Sequence, residues 1–192
     1  NTNLPFTEKD GSVTTYNLGN SIQNANTHTI NSTLNMENFT HLDAEGNPSM
    51  VDVGKKKVTR RIAKARSLVI LDDIILAQLE DGDILTKKGS VFQTAIIAGV
   101  MGAKKTSDLI PLCHPLGLDN CQIEIGINEN REVEIICTAS LTAKTGVEME
   151  ALTGASITAL TIYDMCKAFS HNIIIKETRL IEKSGGKRDF KL

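Results

Sequence analysis

Residues 120–141 read NCQIEIGI, then NENR and EVEIICTASL, two runs of alternating apolar and polar side chains on either side of a polar break. Alternation at a period of two gives a strand one apolar face, and the break turns the chain back, so this stretch predicts an antiparallel hairpin. A hairpin in mid-chain excludes a strict strand–helix–strand repeat and with it an all-parallel sheet.

The flanking segments complete the pattern. Residues 58–71 (VTRRIAKARSLVIL) are β-branched and partly alternating, which predicts a strand. Residues 72–83 (DDIILAQLEDGD) open on an Asp cap and carry helical apolar spacing. Within 87–110, Ser90 is placed as an N-cap, with Phe92, Ala95, Ile96, Val100 and Ala103 near 3.6 spacing, so a helix ending at Lys104 or Lys105 is expected. Residues 146–170 form the longest helical stretch, and 172–187 return as a strand entering a glycine loop. The order predicts an α+β fold, with helices on one face of a mostly antiparallel sheet. With aromatics at 4% and no Trp, its core must be aliphatic. Residues 1–45, rich in Asn, Thr, Ser and Gly, read as a polar, partly disordered extension, and 46–192 as the folded domain.

Composition excludes several classes. A net charge of -2 gives no global reason for nucleic acid or an anionic membrane as partner. No apolar run approaches the roughly 20 residues that cross a bilayer. The four cysteines (Cys113, Cys121, Cys137, Cys166) are far apart without CxxC spacing, against a zinc site or a disulfide scaffold. No metal or cofactor is expected, and a reducing compartment fits: cytoplasm, or mitochondrial matrix in a eukaryote.

Five short stretches and one further lysine could carry chemistry. In LIPLCHPLG (109–117), Pro115 pushes His114 toward extended backbone and Pro111 removes a donor. Adjacent extended residues point to opposite faces, so Cys113 and His114 are not a nucleophile pair. Either His114 faces a site with Cys113 packed behind it, or the segment is a core turn. YDMCK sets Asp164 and Lys167 at i, i+3, an acid/base pair or a surface ion pair. GVEMEALTG puts Glu148 and Glu150 at a helix entrance, as dipole partners or as acceptors for the amine and ring N–H of a purine or pterin. KSGGK (183–187) is an exposed turn or a phosphate cradle, and GKKKVTRR (54–61) packs five cations into eight residues. Lys88 stands at the lip of a helix N-terminus, where an anion meets both ammonium and amides.

Together, MVDVG, KKGSVFQTAIIAG, LIPLCHPL, KTGVEMEALT, TIYDMCKA and KSGGK, in this order and spacing from about Met50 to Phe190, resemble the molybdenum cofactor biosynthesis C family, the cyclic pyranopterin monophosphate synthases. The resemblance implies a ferredoxin-like fold and a homohexamer built as a trimer of dimers, with active sites at the dimer interface. It also implies a lyase reaction in which 3',8-cyclo-7,8-dihydro-GTP, supplied by a radical SAM GTP cyclase, becomes cyclic pyranopterin monophosphate and pyrophosphate. By motif, Lys88, Asp164 and Lys167 match the catalytic positions. Cys113, His114, Glu148, Met149 and Glu150 match the pocket, while Arg61 and Lys183, with Lys57 or Lys187, match the triphosphate site. Ser90 departs from the family, where an acidic residue is frequent, a change expected to affect capping. The competing readings are a binding module without turnover, an RNA-contacting protein using residues 54–61, and a thiol hydrolase that recruits His28, His41 or His171.

Overall fold

The computed structural model describes the backbone of residues 4–7 and 13–16 and all of residues 47–192. The chain falls into two units, Asn1–Asn38 and Phe39–Leu192. In the first, β1 (Leu4–Thr7) and β2 (Val13–Tyr16) pair as an antiparallel hairpin. The rest of the extension read over 1–45, its partial disorder included, lies outside the described residues.

In the second unit the elements run β3 (Thr59–Ile70), α1 (Asp73–Leu76), β4 (Leu79–Glu80), β5 (Asp83–Thr86), β6 (Gly89–Ser90), α2 (Val91–Lys104), α3 (Thr106–Leu109), β7 (Asn120–Ile127), β8 (Val133–Ala143), α4 (Glu148–Cys166), β9 (Ile174–Ser184) and β10 (Phe190–Lys191). The central hairpin forms as β7 and β8, with Cys121 opposite Ala139 and Ile125 opposite Ile135. The main sheet has the order β10-β9-β3-β8-β7, and every pair is antiparallel. Taken as β3-α2-β7-β8-α4-β9, the four long strands stand in the order fourth, first, third, second. This is the split βαβ arrangement of a ferredoxin-like α+β fold.

The core lies between one face of this sheet and α2 with α4. Ala63, Ala65 and Val69 of β3 and Val133, Ile135, Cys137 and Ala139 of β8 meet Ala151, Ala155, Ala159 and Ile162 of α4. Small residues along α4 let the helix sit close to the sheet, and among the described residues Phe92 is the one buried aromatic of the core, with Tyr163 packed at its edge, so packing is mostly aliphatic as expected.

One element is shorter than its apolar spacing suggests. The helix expected over 72–83 is a single turn, α1, capped by Asp72, whose side chain accepts from the Ile75 N–H at 3.1 Å. Asp81 and Gly82 then take φ of 50° and 80°, the two-residue turn that joins twisted strands, and the chain becomes the β4–β5 hairpin. Asp83 anchors the next junction, accepting from the Ile84 N–H at 2.6 Å, the Phe92 N–H at 2.9 Å and the Ser90 hydroxyl. Burial works against its charge, but these donors outweigh it and hold the carboxyl below its ordinary range. Ser90 caps α2 as expected, accepting from the Gln93 N–H at 3.1 Å.

Candidate active site

The residues singled out by sequence fall into two clusters. The first is built where the Thr86–Gly89 loop meets the last turn of α4. Asp164 Oδ1 lies 2.6 Å from Lys167 Nζ, and its Oδ2 lies 3.5 Å from Lys88 Nζ. One carboxylate thus bridges two ammonium groups, which sequence spacing could show for Lys167 but not for Lys88. The Lys167 hydrogen bond, then the charges of both lysines, hold Asp164 below the usual carboxylate range, and Asp164 in turn raises Lys167. Lys167 is therefore an ammonium at neutral pH, set to donate a proton or to neutralise developing negative charge. All three side chains are about half or more exposed, so the cluster adds little to folding stability.

The second cluster surrounds the entrance of α4. A cleft of about 290 Å³ is walled by Cys113, His114 and Leu116 of the proline loop, by Val51, Val53 and Lys56, and by Thr145, Gly146, Glu148, Met149 and Glu150. Through Lys56, Thr145, Gly146 and Glu148 it continues into an annex of about 140 Å³ that also holds Arg61, Lys144, Lys183 and Lys187. Five cations therefore face one carboxylate, Glu148, which Lys183 engages at 3.0 Å. The KSGGK loop brings them together. Gly185 has φ of 82° and passes so close to the Arg60 carbonyl that no side chain fits, which seats Gly186 and Lys187 beside Arg61. Arg61 Nε is buried without a partner, a donor left free at the cation-lined end.

The proline loop differs from its expected extended form. The Cys113 N–H donates to the Ile110 carbonyl at 3.1 Å, closing a four-residue turn with Pro111 at its second position. Alternation does not operate in a turn, so Cys113 does not pack behind His114, and both side chains line the cleft. Burial first, and the Glu150 charge second, push the Cys113 thiol above its ordinary value and keep it protonated, which disfavours a thiolate nucleophile there. Cys166 is likewise pushed up, to about 11, by burial and then by Asp83. Glu150 is 3% exposed, and its carboxyl is raised by burial and, more weakly, by Glu148. Such a group recognises a buried donor or, when protonated, an acceptor.

Sequence reasoning missed Lys56 and Lys144. It offered Lys57 as the cation from GKKKVTRR, whereas the turn at 53–56, closed by the Lys56 N–H on the Val53 carbonyl at 3.1 Å, turns Lys56 into the cleft. Lys144 follows the last residue of β8, in the block KTGVEMEALT, and that adjacency was the available signal. The elements that carry the two clusters hold them apart. Glu148 and Asp164 begin and nearly end α4, 16 residues apart, about 24 Å along the axis. No helix of the described chain is long and apolar enough to cross a membrane, and no group of three or more His, Cys, Asp or Glu among the described residues could hold a metal ion.

Comparison with known proteins shows the family. The profile of the MoaC family matches residues 50–186. A Xanthomonas campestris protein named cyclic pyranopterin monophosphate synthase is 51% identical over 152 residues, 79% of this chain and 92% of that protein. Molybdenum cofactor biosynthesis protein 1 of Dictyostelium discoideum is 46% identical over 185 residues, 86% of this chain but 29% of that protein. A Synechocystis molybdenum cofactor biosynthesis bifunctional protein is 51% identical over 155 residues, 79% of this chain and 45% of that protein. The chain thus corresponds to nearly all of the Xanthomonas relative and to less than half of the other two.

Proposed function

The chain belongs to the MoaC family, whose lyase activity in molybdenum cofactor biosynthesis it carries, and we propose that it converts 3',8-cyclo-7,8-dihydro-GTP to cyclic pyranopterin monophosphate with release of pyrophosphate. The observation that carries this reading is the joined cleft and annex. A flat, donor-rich heterocycle finds two carboxylates and His114, and a triphosphate finds Arg61, Lys56, Lys183 and Lys187.

The chemistry asks for two kinds of help. Opening and reclosing the purine-derived ring needs proton transfers, which Lys88 and Lys167 supply while Asp164 orients them or takes up a proton. Forming the cyclic phosphate needs a hydroxyl to attack the α-phosphorus as pyrophosphate leaves, and Arg61, Lys183 and Lys187 stabilise the charge that builds on the departing group. Cleft and lysine cluster lie too far apart along α4 for one small substrate to span within a protomer. The complete site is therefore composite, the cleft of one subunit facing the Lys88–Asp164–Lys167 cluster of a second, in a hexamer of three dimers. A radical SAM GTP cyclase supplies the substrate.

The test is turnover of the cyclised GTP derivative by purified protein, reading pyrophosphate and the pterin product, with Lys88→Ala and Asp164→Asn alongside. Product from the wild type, lost in both folded variants, is expected. A folded oligomer that binds the nucleotide and yields no product would overturn the enzymatic reading.

A further inference from the structure

We propose that residues 51–57 form a strap that walls the cleft, and that Lys144 is the positioning residue that holds it in place; this rests on the reading of the cleft as the substrate site. The strap precedes β3, whose pairing with β8 begins at Thr59 opposite Ala143. Its conformation is set locally. The Gly54 N–H donates to Asp52 Oδ1 at 2.7 Å, and the Lys56 N–H to the Val53 carbonyl at 3.1 Å. Among the described residues, the hydrogen bond that ties this turn to the rest of the domain runs from Lys144 Nζ to the Gly54 carbonyl, at 2.7 Å.

Lys144 is well placed to do this. It directly follows Ala143, the last residue of β8, so its backbone is fixed by the sheet while its ammonium reaches outward to the turn. The strap presents Val51, Val53 and Lys56 to the cleft, which makes the position of Lys56 depend on that single charge-assisted bond. A segment tied by one exposed bond opens readily, so losing the bond loosens the wall without unfolding the sheet behind it. Lys144 also lines the annex, so direct contact with substrate phosphates is the rival role that the test must separate.

Hydrogen exchange of the unliganded protein is read over residues 50–58, with steady-state kinetics on the same samples. Lys144→Met is expected to speed exchange of these amides roughly fivefold, Lys144→Arg to restore it, and Asp52→Ala, which loosens the turn from inside, to act like Lys144→Met. In turnover, Lys144→Met and Asp52→Ala each raise KM roughly fivefold with kcat nearly unchanged, and the double variant falls short of the product of the two factors because both act through the strap. A Lys144→Met protein with unchanged exchange, or with effects that multiply independently with Asp52→Ala, overturns the strap in favour of direct phosphate contact. Faster exchange without any change in KM overturns it as a wall of the substrate site. The exchange arm needs no turnover, so it still decides whether Lys144 holds the strap if the synthase reading itself fails.

Discussion

The two ends of α4 differ in what their charges do. At the entrance, Glu150 is buried, Glu148 is engaged by Lys183 and cations crowd a walled cleft, so charge is held there at a cost to folding. At the exit, Lys88, Asp164 and Lys167 stand in the open, where a three-membered ion cluster contributes little to stability. On the proposed reading, recognition falls where water is restricted and substrate groups can be discriminated. The three groups at the exit are exposed on the protomer, and on the proposed reading they transfer protons once the surface of a second subunit covers them.

The contrast breaks most easily at the exit. Lys88→Ala and Asp164→Asn should each lower kcat by about two to four orders of magnitude, while thermal unfolding monitored by circular dichroism shifts by about 1 °C or less. A loss of activity that tracks a large fall in Tm would mean the cluster is structural after all.

Between the two ends, stability resides where α2 crosses α4. A Cβ at Gly99 would lie 2.0 Å from Thr158 Oγ1 and 2.9 Å from the Gly154 carbonyl, so Gly99→Ala forces the helices apart. Chemical denaturation should report a loss of about 2–3 kcal/mol, larger than for any charge at the exit.

Binding effects at the entrance are smaller. Lys183→Ala should weaken the affinity for inorganic triphosphate by roughly tenfold, measured by calorimetry at low salt, and the difference from wild type should shrink as salt rises. Equal affinities would remove Lys183 from the anion site.

Smallest is the effect of Glu150→Gln. The folded carboxyl is raised, so its ionisation penalises the folded state once pH exceeds the unfolded value and grows until pH passes the folded one; below about pH 4 the penalty is absent. The variant should melt slightly higher than wild type near pH 7, and the gain should vanish at pH 4. A gain that persists in acid would point to packing rather than charge.

Much of this was legible in the chain. The β7–β8 alternation, the Ser90 cap and the apolar repeats of α2 and α4 determine the layers, because strands and helices bury faces at their own periods. The Asp81-Gly82 pair carried a hairpin signal, but its apolar neighbours at helical spacing masked it and lengthened α1 on paper. Pro111 likewise marks the second position of a turn as well as it marks a stiff extended segment, and only the Ile110–Cys113 bond distinguishes the two. Lys56 and Lys144 were hidden because their roles depend on where a turn aims one of three consecutive lysines, and on a contact between residues 54 and 144. The separation of the clusters was available from the rise of a helix, since Glu148 and Asp164 sit on one helix and cannot approach each other.

The proposed site pairs the cleft of one subunit with the lysine cluster of another, so two variants inactive on their own should complement each other. Subunits carrying Lys88→Ala are co-expressed with subunits carrying Arg61→Ala and Lys183→Ala, each inactive alone, and the mixed dimers are isolated through two different tags. If sites are shared across the interface, each mixed dimer keeps one of two sites intact and should recover about half of the wild-type turnover. No recovery in folded, verified mixed dimers would rule out a shared site and place the whole reaction within a single protomer.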